Sequence, residues 1–214
     1  MNLERALVQM SPLPDEKKLR RRAAEEAVAH LGLLKAEAVA TVFGLLDNSD
    51  GSHPRAICTA YRKKGEQLHE GEKKVAGLRK MAFMSREALA EITAKGMQDP
   101  LRDHELTVLR GSFAIFRHRH ALSAEHMMQE HPNLPIEVQY DVFHPDSCDV
   151  CNALYRKPVG PDWGLFAPDG CTCITAPYGL HIHVDFIGEV LAEEDQQRRS
   201  EKASLFARIR QIFG

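Results

Sequence analysis

Four cysteines fall within one short stretch of the chain, in two closely spaced pairs. Cys148 and Cys151 form a C-x2-C pair, nineteen residues follow, and Cys171 and Cys173 form a C-x-C pair. Thiolates are soft ligands that bind Zn²⁺ tetrahedrally, and a structural zinc site takes four ligands from two such knuckles. The spacing therefore predicts that Cys148, Cys151, Cys171 and Cys173 bind one zinc ion.

Three histidines lie close enough along the chain to act as substitute ligands. His181 and His183 follow the second cysteine pair at H-x-H spacing, and His144 precedes the first pair. If Cys173 points away from the ion, His181 or His144 can replace it, and His183 can contribute to the same site or to a second, weaker one. An alternative hypothesis gives His181, His183 and Asp185 a catalytic metal, in a metal-dependent hydrolase or an HNH-like nuclease.

Alternating apolar and polar residues predict a strand on each side of the cysteines. Residues 136–143 and 180–187 both alternate with period two. We expect them to pair antiparallel, with a helix covering their apolar face. A two-stranded hairpin is marginal in water, whereas zinc contributes roughly 10–16 kcal/mol in small peptides, so the ion would stabilise the hairpin. The predicted apolar face consists of Ile136, Val138, Tyr140, Val142, Leu180, Ile182, Val184 and Phe186.

Helical periodicity dominates the rest of the chain. Asp15 and Ser85 are the expected N-caps of two helices, and Gly96 is expected to end the second. The predicted helical segments are 15–46, 54–80 with glycine interruptions, 86–95, 99–130 and 189–213. In segment 99–130 the residues expected to pack in the core are Leu101, Leu109, Phe113, Phe116 and Met127.

These elements predict an α+β fold, mostly helical, with a small zinc-stapled antiparallel β-hairpin near the C-terminus. The expected organisation is a helical region over residues 1–131, a zinc-knuckle hairpin over 132–187 and an amphipathic helix over 188–214. Because the helices carry their own apolar stripes, we expect them to stay folded when the metal is removed.

Composition favours a globular cytoplasmic protein. Hydrophobic residues make up 43% of the chain and the net charge is −2, so nucleic-acid binding would have to be local. The first residues lack the apolar core of a secretory signal, and no apolar run is long enough to span a membrane. In the cytoplasm thiols stay reduced, which favours metal binding over disulfides. Cys58, far upstream, is expected to be a buried apolar residue.

The cysteine segment resembles a zinc knuckle found in phage Mu-type head-morphogenesis (minor head) proteins. The resemblance rests on Cys148-Asp-Val-Cys151-Asn-Ala-Leu154, on Arg156-Lys157 at the following turn, and on Pro168-Asp-Gly-Cys171-Thr-Cys173. It covers about forty residues. It implies a prophage-derived assembly protein that binds zinc and contacts protein partners or copies of itself.

Other signals favour a non-enzymatic interaction protein. The chain has neither a G-x-S-x-G nucleophile elbow nor a Gly-rich phosphate loop. Segment 55–80 holds eight Lys and Arg against three Glu, so a nucleic-acid-binding module that uses this segment is a further alternative. The run Arg117-His118-Arg119-His120 is expected to be a solvated helix surface, because successive helical side chains point about 100° apart.

Overall fold

The computed structural model describes residues 15–49, 51–142, 147–160, 162–175, 178–184 and 197–198. Within them the α+β prediction is confirmed, because helices dominate and two strands form a small antiparallel sheet. The predicted helix 189–213 lies outside the described residues apart from 197–198. The elements are α1 (Glu16–Leu31), a 3₁₀ turn (Ala36–Ala38), α2 (Val39–Asp47), α3 (Pro54–Arg62), α4 (Glu70–Val75), α5 (Arg86–Ala90), a 3₁₀ turn (Gly96–Gln98), α6 (Asp103–Glu130), β1 (Ile136–Asp141), α7 (Asp149–Asn152) and β2 (Gly179–Val184).

The first predicted helix is divided into α1 and α2. Asp15 is the N-cap as expected, since its Oδ1 accepts hydrogen bonds from the backbone N–H groups of Lys17 at 2.8 Å and Lys18 at 3.2 Å. The continuous helix over 15–46 is wrong because α1 ends at Gly32, which has a left-handed φ of 60° and donates its N–H to Val28. Glycine adopts this conformation without steric penalty, so it terminates the helix.

The helix that begins after Ser85 is shorter than predicted. Ser85 caps it as expected, with its hydroxyl accepting from the N–H of Ala88, but α5 ends at Ala90 and Gly96 begins a 3₁₀ turn instead. The backbone after Ala90 pairs with the segment that follows α1, through bonds from Lys35 N–H to Glu91 O and from Thr93 N–H to Leu33 O. Tertiary pairing therefore replaces the last turns of the predicted helix.

Helix α6 is the central element, and it packs against α1, α2, α3 and both strands. Its predicted apolar stripe is wrong in detail, because Phe116 is exposed and the other four predicted core residues are only partly buried. Small side chains allow close approach instead, as at Gly111, where an added Cβ would lie 2.8 Å from Leu46 Cδ1. The face of α6 that is buried consists of Asp103, His104, Thr107, Val108, Arg110, Gly111, Ala114, Ile115, Arg117, His118, Ala121 and Ala124.

The predicted strand pairing is confirmed over the described residues. Strands β1 and β2 are antiparallel, and Val138 lies opposite Ile182 while Tyr140 lies opposite Leu180. Directly opposite residues share a face, so the apolar residues of both strands lie together, and α6 contacts both strands as expected. Phe186 lies outside the described residues.

No helix in the described part of the chain is long and apolar enough to cross a membrane.

Candidate metal centre

The loop between β1 and β2 brings the four cysteine sulfurs together. Cys148 is the N-cap of α7 and Cys151 lies within it, while Cys171 and Cys173 follow Gly170, whose φ of 80° turns the chain. The four Sγ atoms all lie within 4.8 Å of one another, and those of Cys151 and Cys171 are 3.5 Å apart. Tetrahedral zinc with Zn–S bonds of about 2.3 Å requires sulfurs about 3.8 Å apart, so the donor set fits such an ion.

Backbone N–H groups point at two of the sulfurs. The N–H of Cys148 lies 3.3 Å from Cys173 Sγ, and the N–H of Thr172 lies 3.5 Å from Cys148 Sγ. Burial raises the pKa of Cys148, but the N–H groups of Thr172 and Cys151 outweigh it and lower the pKa to about 6. Hydrogen bonds to a thiolate favour its charged form and orient it toward a cation.

The pKa values of the buried thiols of Cys151 and Cys173 shift in the opposite direction. Burial, followed by the neighbouring thiol of Cys171, raises the pKa of Cys151, and burial also raises the pKa of Cys173. Four crowded sulfurs cannot all ionise without a compensating positive charge, and a coordinated divalent ion supplies that charge and deprotonates the thiols. The cluster therefore favours a bound cation, because four thiolates without one would repel one another.

Arg110 connects the cysteine loop to the helices. Its Nη1 donates to Cys173 O at 2.5 Å, while its Nε and Nη2 bind the carboxylate of Glu26 on α1. His30 Nε2 lies 3.0 Å from the same Cys173 oxygen, to which it donates in the Nε2–H tautomer. The backbone at the last cysteine is thus held by side chains of both α1 and α6.

Arg117 makes a second connection one heptad further along α6. It is 3% exposed, donates twice to Leu165 O at 2.9 and 2.8 Å and once to Tyr178 O at 3.1 Å, and its guanidinium lies 5.0 Å from the Tyr178 ring centre. Burial lowers its pKa. The Tyr178 hydroxyl in turn donates to Gly164 O at 2.6 Å. These contacts satisfy carbonyl groups of Leu165 and Gly164 in the loop and of Tyr178 just before β2, which lie outside the helices and strands of the described residues.

The expectation of a solvated surface over residues 117–120 is therefore wrong for two of its four members. Arg117 and His118 are buried, while Arg119 is exposed and His120 is partly buried. The sequence pattern placed Arg117 on a solvated surface and did not single out Arg110, so sequence reasoning missed the role of both residues. Their seven-residue separation, which places both on one helix face, was the available signal.

The two substitute histidines of β2 do not join the cysteine cluster. His181 and His183 are exposed on β2, opposite Gln139 and Glu137. Among the described residues, the four cysteines are the one group of three or more His, Cys, Asp or Glu side chains that could share an ion. His144 and Asp185 lie outside the described residues, so their predicted roles stay predictions.

His181 and His183 line a separate cavity of 440 Å³ with Asp141 and Arg156. Arg156 has a left-handed φ of 58°, unusual for a residue with a side chain, and its N–H donates to Tyr140 O. Such conformations are held in place by surrounding structure. The surrounding structure therefore fixes the backbone of Arg156 at the wall of this cavity, on the polar face of the sheet.

Cys58 is completely buried in the helical core, as expected of an apolar role. Burial raises the pKa of its thiol to about 12, so it stays protonated. It is not a member of the metal-binding group.

Comparisons with models of protein families, with curated proteins and with solved structures give no match for this chain.

Proposed function

We propose that this chain is a non-enzymatic zinc-binding protein that acts in protein–protein assembly. The observation that carries the proposal is the convergence of the Cys148, Cys151, Cys171 and Cys173 sulfurs within 4.8 Å of one another. Four protein ligands close a tetrahedral zinc site, whereas catalytic zinc keeps one position open for water or substrate. The ion would therefore be structural, and reduced thiols of this kind fit a cytoplasmic protein.

The metal would organise a surface that contacts another protein. Val150 lies between the first two ligands and Ile174 directly follows the last, and both are exposed, Ile174 by 58%. Tyr155, three residues after α7, is also half exposed. Apolar and aromatic side chains on a rigid support are typical of interface cores. The partner is a second copy of this chain or a different protein, and the resemblance to head-morphogenesis proteins favours a role in prophage head assembly.

Sedimentation of the zinc-loaded protein over a range of concentrations tests the assembly part of the proposal. We expect self-association that Val150→Asp with Ile174→Asp weakens by at least about tenfold, because two charges would be buried without partners. Val75→Asp is the control, since Val75 is 91% exposed on α4, away from the cysteine loop. Equal weakening by all variants would contradict a specific surface at the metal centre. A monomer at every concentration would contradict self-assembly and leave a different protein as the proposed partner.

A metal-dependent hydrolase is the second candidate, favoured by the 440 Å³ cavity that contains His181, His183 and Asp141. This function requires a second, exchangeable metal besides the structural zinc. Hydrolysis of DNA or phosphodiester substrates that needs added Mn²⁺ or Mg²⁺ and disappears in His181→Ala with His183→Ala would favour it. Unchanged zinc content and no such activity in either protein would favour the assembly function.

A further inference from the structure

A buried arginine in the helical region forms no ion pair among the described residues. Arg62, the last residue of α3, is 5% exposed. Its Nη2 donates to Thr59 Oγ1 at 3.2 Å, but its Nη1 has no hydrogen-bond partner in the described part of the chain. The negative charge of Glu105 acts on Arg62 from beyond ion-pair distance, since Glu105 pairs with Arg55 instead. A buried charge without a counter-ion in contact is costly, so its presence needs an explanation.

Arg62 lines a cavity of 630 Å³ that other cations share. Arg79 and Lys80 lie on its wall. Among the described residues, the Arg79 side chain forms no ion pair or hydrogen bond, and Lys80 pairs with no buried carboxylate. Lys80 pairs with Glu70 at 3.0 Å, with both side chains about 70% exposed, and such surface pairs are weak and exchangeable. The remaining wall is formed by Thr59, Met81, Ala82, Phe83 and Leu101.

We propose that this cavity binds the phosphate group of a nucleotide, either free or within a nucleic-acid strand, through Arg62, Arg79 and Lys80. A phosphate presents several acceptor oxygens and up to two negative charges, so it suits a cavity lined by three cations better than one carboxylate does. The guanidinium groups of Arg62 and Arg79 can each bind two of its oxygens at once.

The volume and the apolar wall indicate that more than the phosphate enters. A cavity of 630 Å³ is far larger than one phosphate ion, and it lies in the range that small organic ligands occupy. Phe83 is half exposed at its wall, and the Lys63 ammonium lies 4.4 Å from the Phe83 ring centre. An aromatic ring beside a phosphate site is a typical stacking platform for a base.

The fold also explains why the sequence does not show this site as one compact group of basic residues. Segment 55–80 forms α3, a turn and α4, so its basic residues do not lie along one helix. Arg62 comes from the end of α3, whereas Arg79 and Lys80 come from the turn after α4. The phosphate proposal is independent of the zinc centre and of the proposed assembly function.

Fluorescence anisotropy with the full zinc-loaded chain tests the proposal. The probe is a fluorescein-labelled single strand of twelve nucleotides, with inorganic phosphate and adenosine monophosphate as competitors. We expect Arg79→Ala with Lys80→Ala to weaken strand binding at least about tenfold, because charge-assisted bonds are lost. The matched control, Lys64→Ala with Lys74→Ala, removes the same two charges from exposed positions outside the cavity and should change affinity less than about twofold.

The competitors identify the source of the phosphate. Adenosine monophosphate that competes nearly as well as the strand indicates a free nucleotide, whereas affinity that rises with strand length and falls steeply with salt indicates nucleic acid. Arg62→Met should also abolish binding while retaining the helical signal in circular dichroism; if this variant does not fold, the Arg79 and Lys80 variant decides. Equal losses in the cavity and control variants, or no binding of any probe, would overturn the proposal.

Discussion

The helical region and the cysteine loop are held together by different chemistry, although both pack on α6. The helices bury apolar side chains, such as Leu19 on α1, Leu46 on α2 and Val108 on α6, which are all under 2% exposed. The loop between β1 and β2 is held by four sulfurs and by Arg110 and Arg117, which bind its carbonyl groups. The irregular segment is thus held by partners for its backbone carbonyl groups and by a cysteine cluster that could hold a metal ion.

The difference has a structural cause. A helix satisfies its own backbone hydrogen bonds, so its packing needs only a suitable apolar face. The loop has little repeating hydrogen bonding, and every buried carbonyl in it needs a partner from elsewhere. The two regions are therefore expected to respond differently to metal removal and to substitution.

Metal removal should have the largest effect, and it should be confined to one region. We expect a strong chelator to open residues 147–184, because zinc binding contributes roughly 10–16 kcal/mol to small zinc-folded units. The helical region keeps its apolar core, so most of the far-UV helical signal should remain. Hydrogen exchange followed by mass spectrometry measures the opening of residues 147–184, and far-UV circular dichroism measures the helical signal. Loss of protection throughout α1 and α6 would show instead that the chain is one cooperative unit.

Replacing Arg117, one of the two buried arginines of α6, should have the next largest effect. Arg117→Met leaves the carbonyls of Leu165 and Tyr178 without their donor, and we expect a loss of about 4 kcal/mol in the free energy of unfolding. Arg119→Met, two residues along and 63% exposed, is the control and should cost under about 0.5 kcal/mol. Urea denaturation gives both values. A similarly small loss of unfolding free energy in both variants would mean that Arg117 does not hold the loop.

A core truncation in the helices should leave the metal centre unchanged. Leu46→Ala creates a cavity beside Gly111, and we expect a loss of about 3 kcal/mol. The control is Leu122→Ala, at a half-exposed position on α6, which should cost well under 1 kcal/mol. Zinc content should stay the same in both variants. Loss of zinc from the Leu46 variant would contradict the division between the two regions.

The smallest predicted effect concerns Asp103, at the start of α6. Burial, followed by the charge of Asp99, raises the pKa of Asp103 to about 7, and its Oδ2 lacks a hydrogen-bond partner. Because the pKa of Asp103 is higher in the folded state than in the unfolded state, the folded state loses stability as the pH rises from about 4 to about 7. Asp103→Asn should therefore stabilise the protein by about 1–2 kcal/mol at pH 8 and by less at pH 5.5. Urea denaturation at both pH values checks this, and an equal effect at both would exclude titration of Asp103 as the cause.

Local patterns predicted the parts of this fold that local forces determine. The strands were found from their alternation, the caps at Asp15 and Ser85 from residue type, and the cysteine cluster from spacing. The early end of α5 depends on pairing between residues 33–35 and 91–93, which local periodicity does not contain. The burial of Arg110 and Arg117 depends on carbonyl groups more than forty residues away along the chain, so the local pattern around Arg117 indicated a solvated surface.

The most direct test of the central claim is X-ray absorption at the zinc edge, combined with the metal content of the purified chain. The proposed function predicts one zinc per chain with four sulfur ligands at about 2.3 Å. Cys151→Ser should lose the metal, whereas Cys58→Ser, which changes a buried cysteine outside the cluster, should keep it. A chain that binds no zinc, or a zinc spectrum dominated by nitrogen and oxygen ligands, would contradict the account.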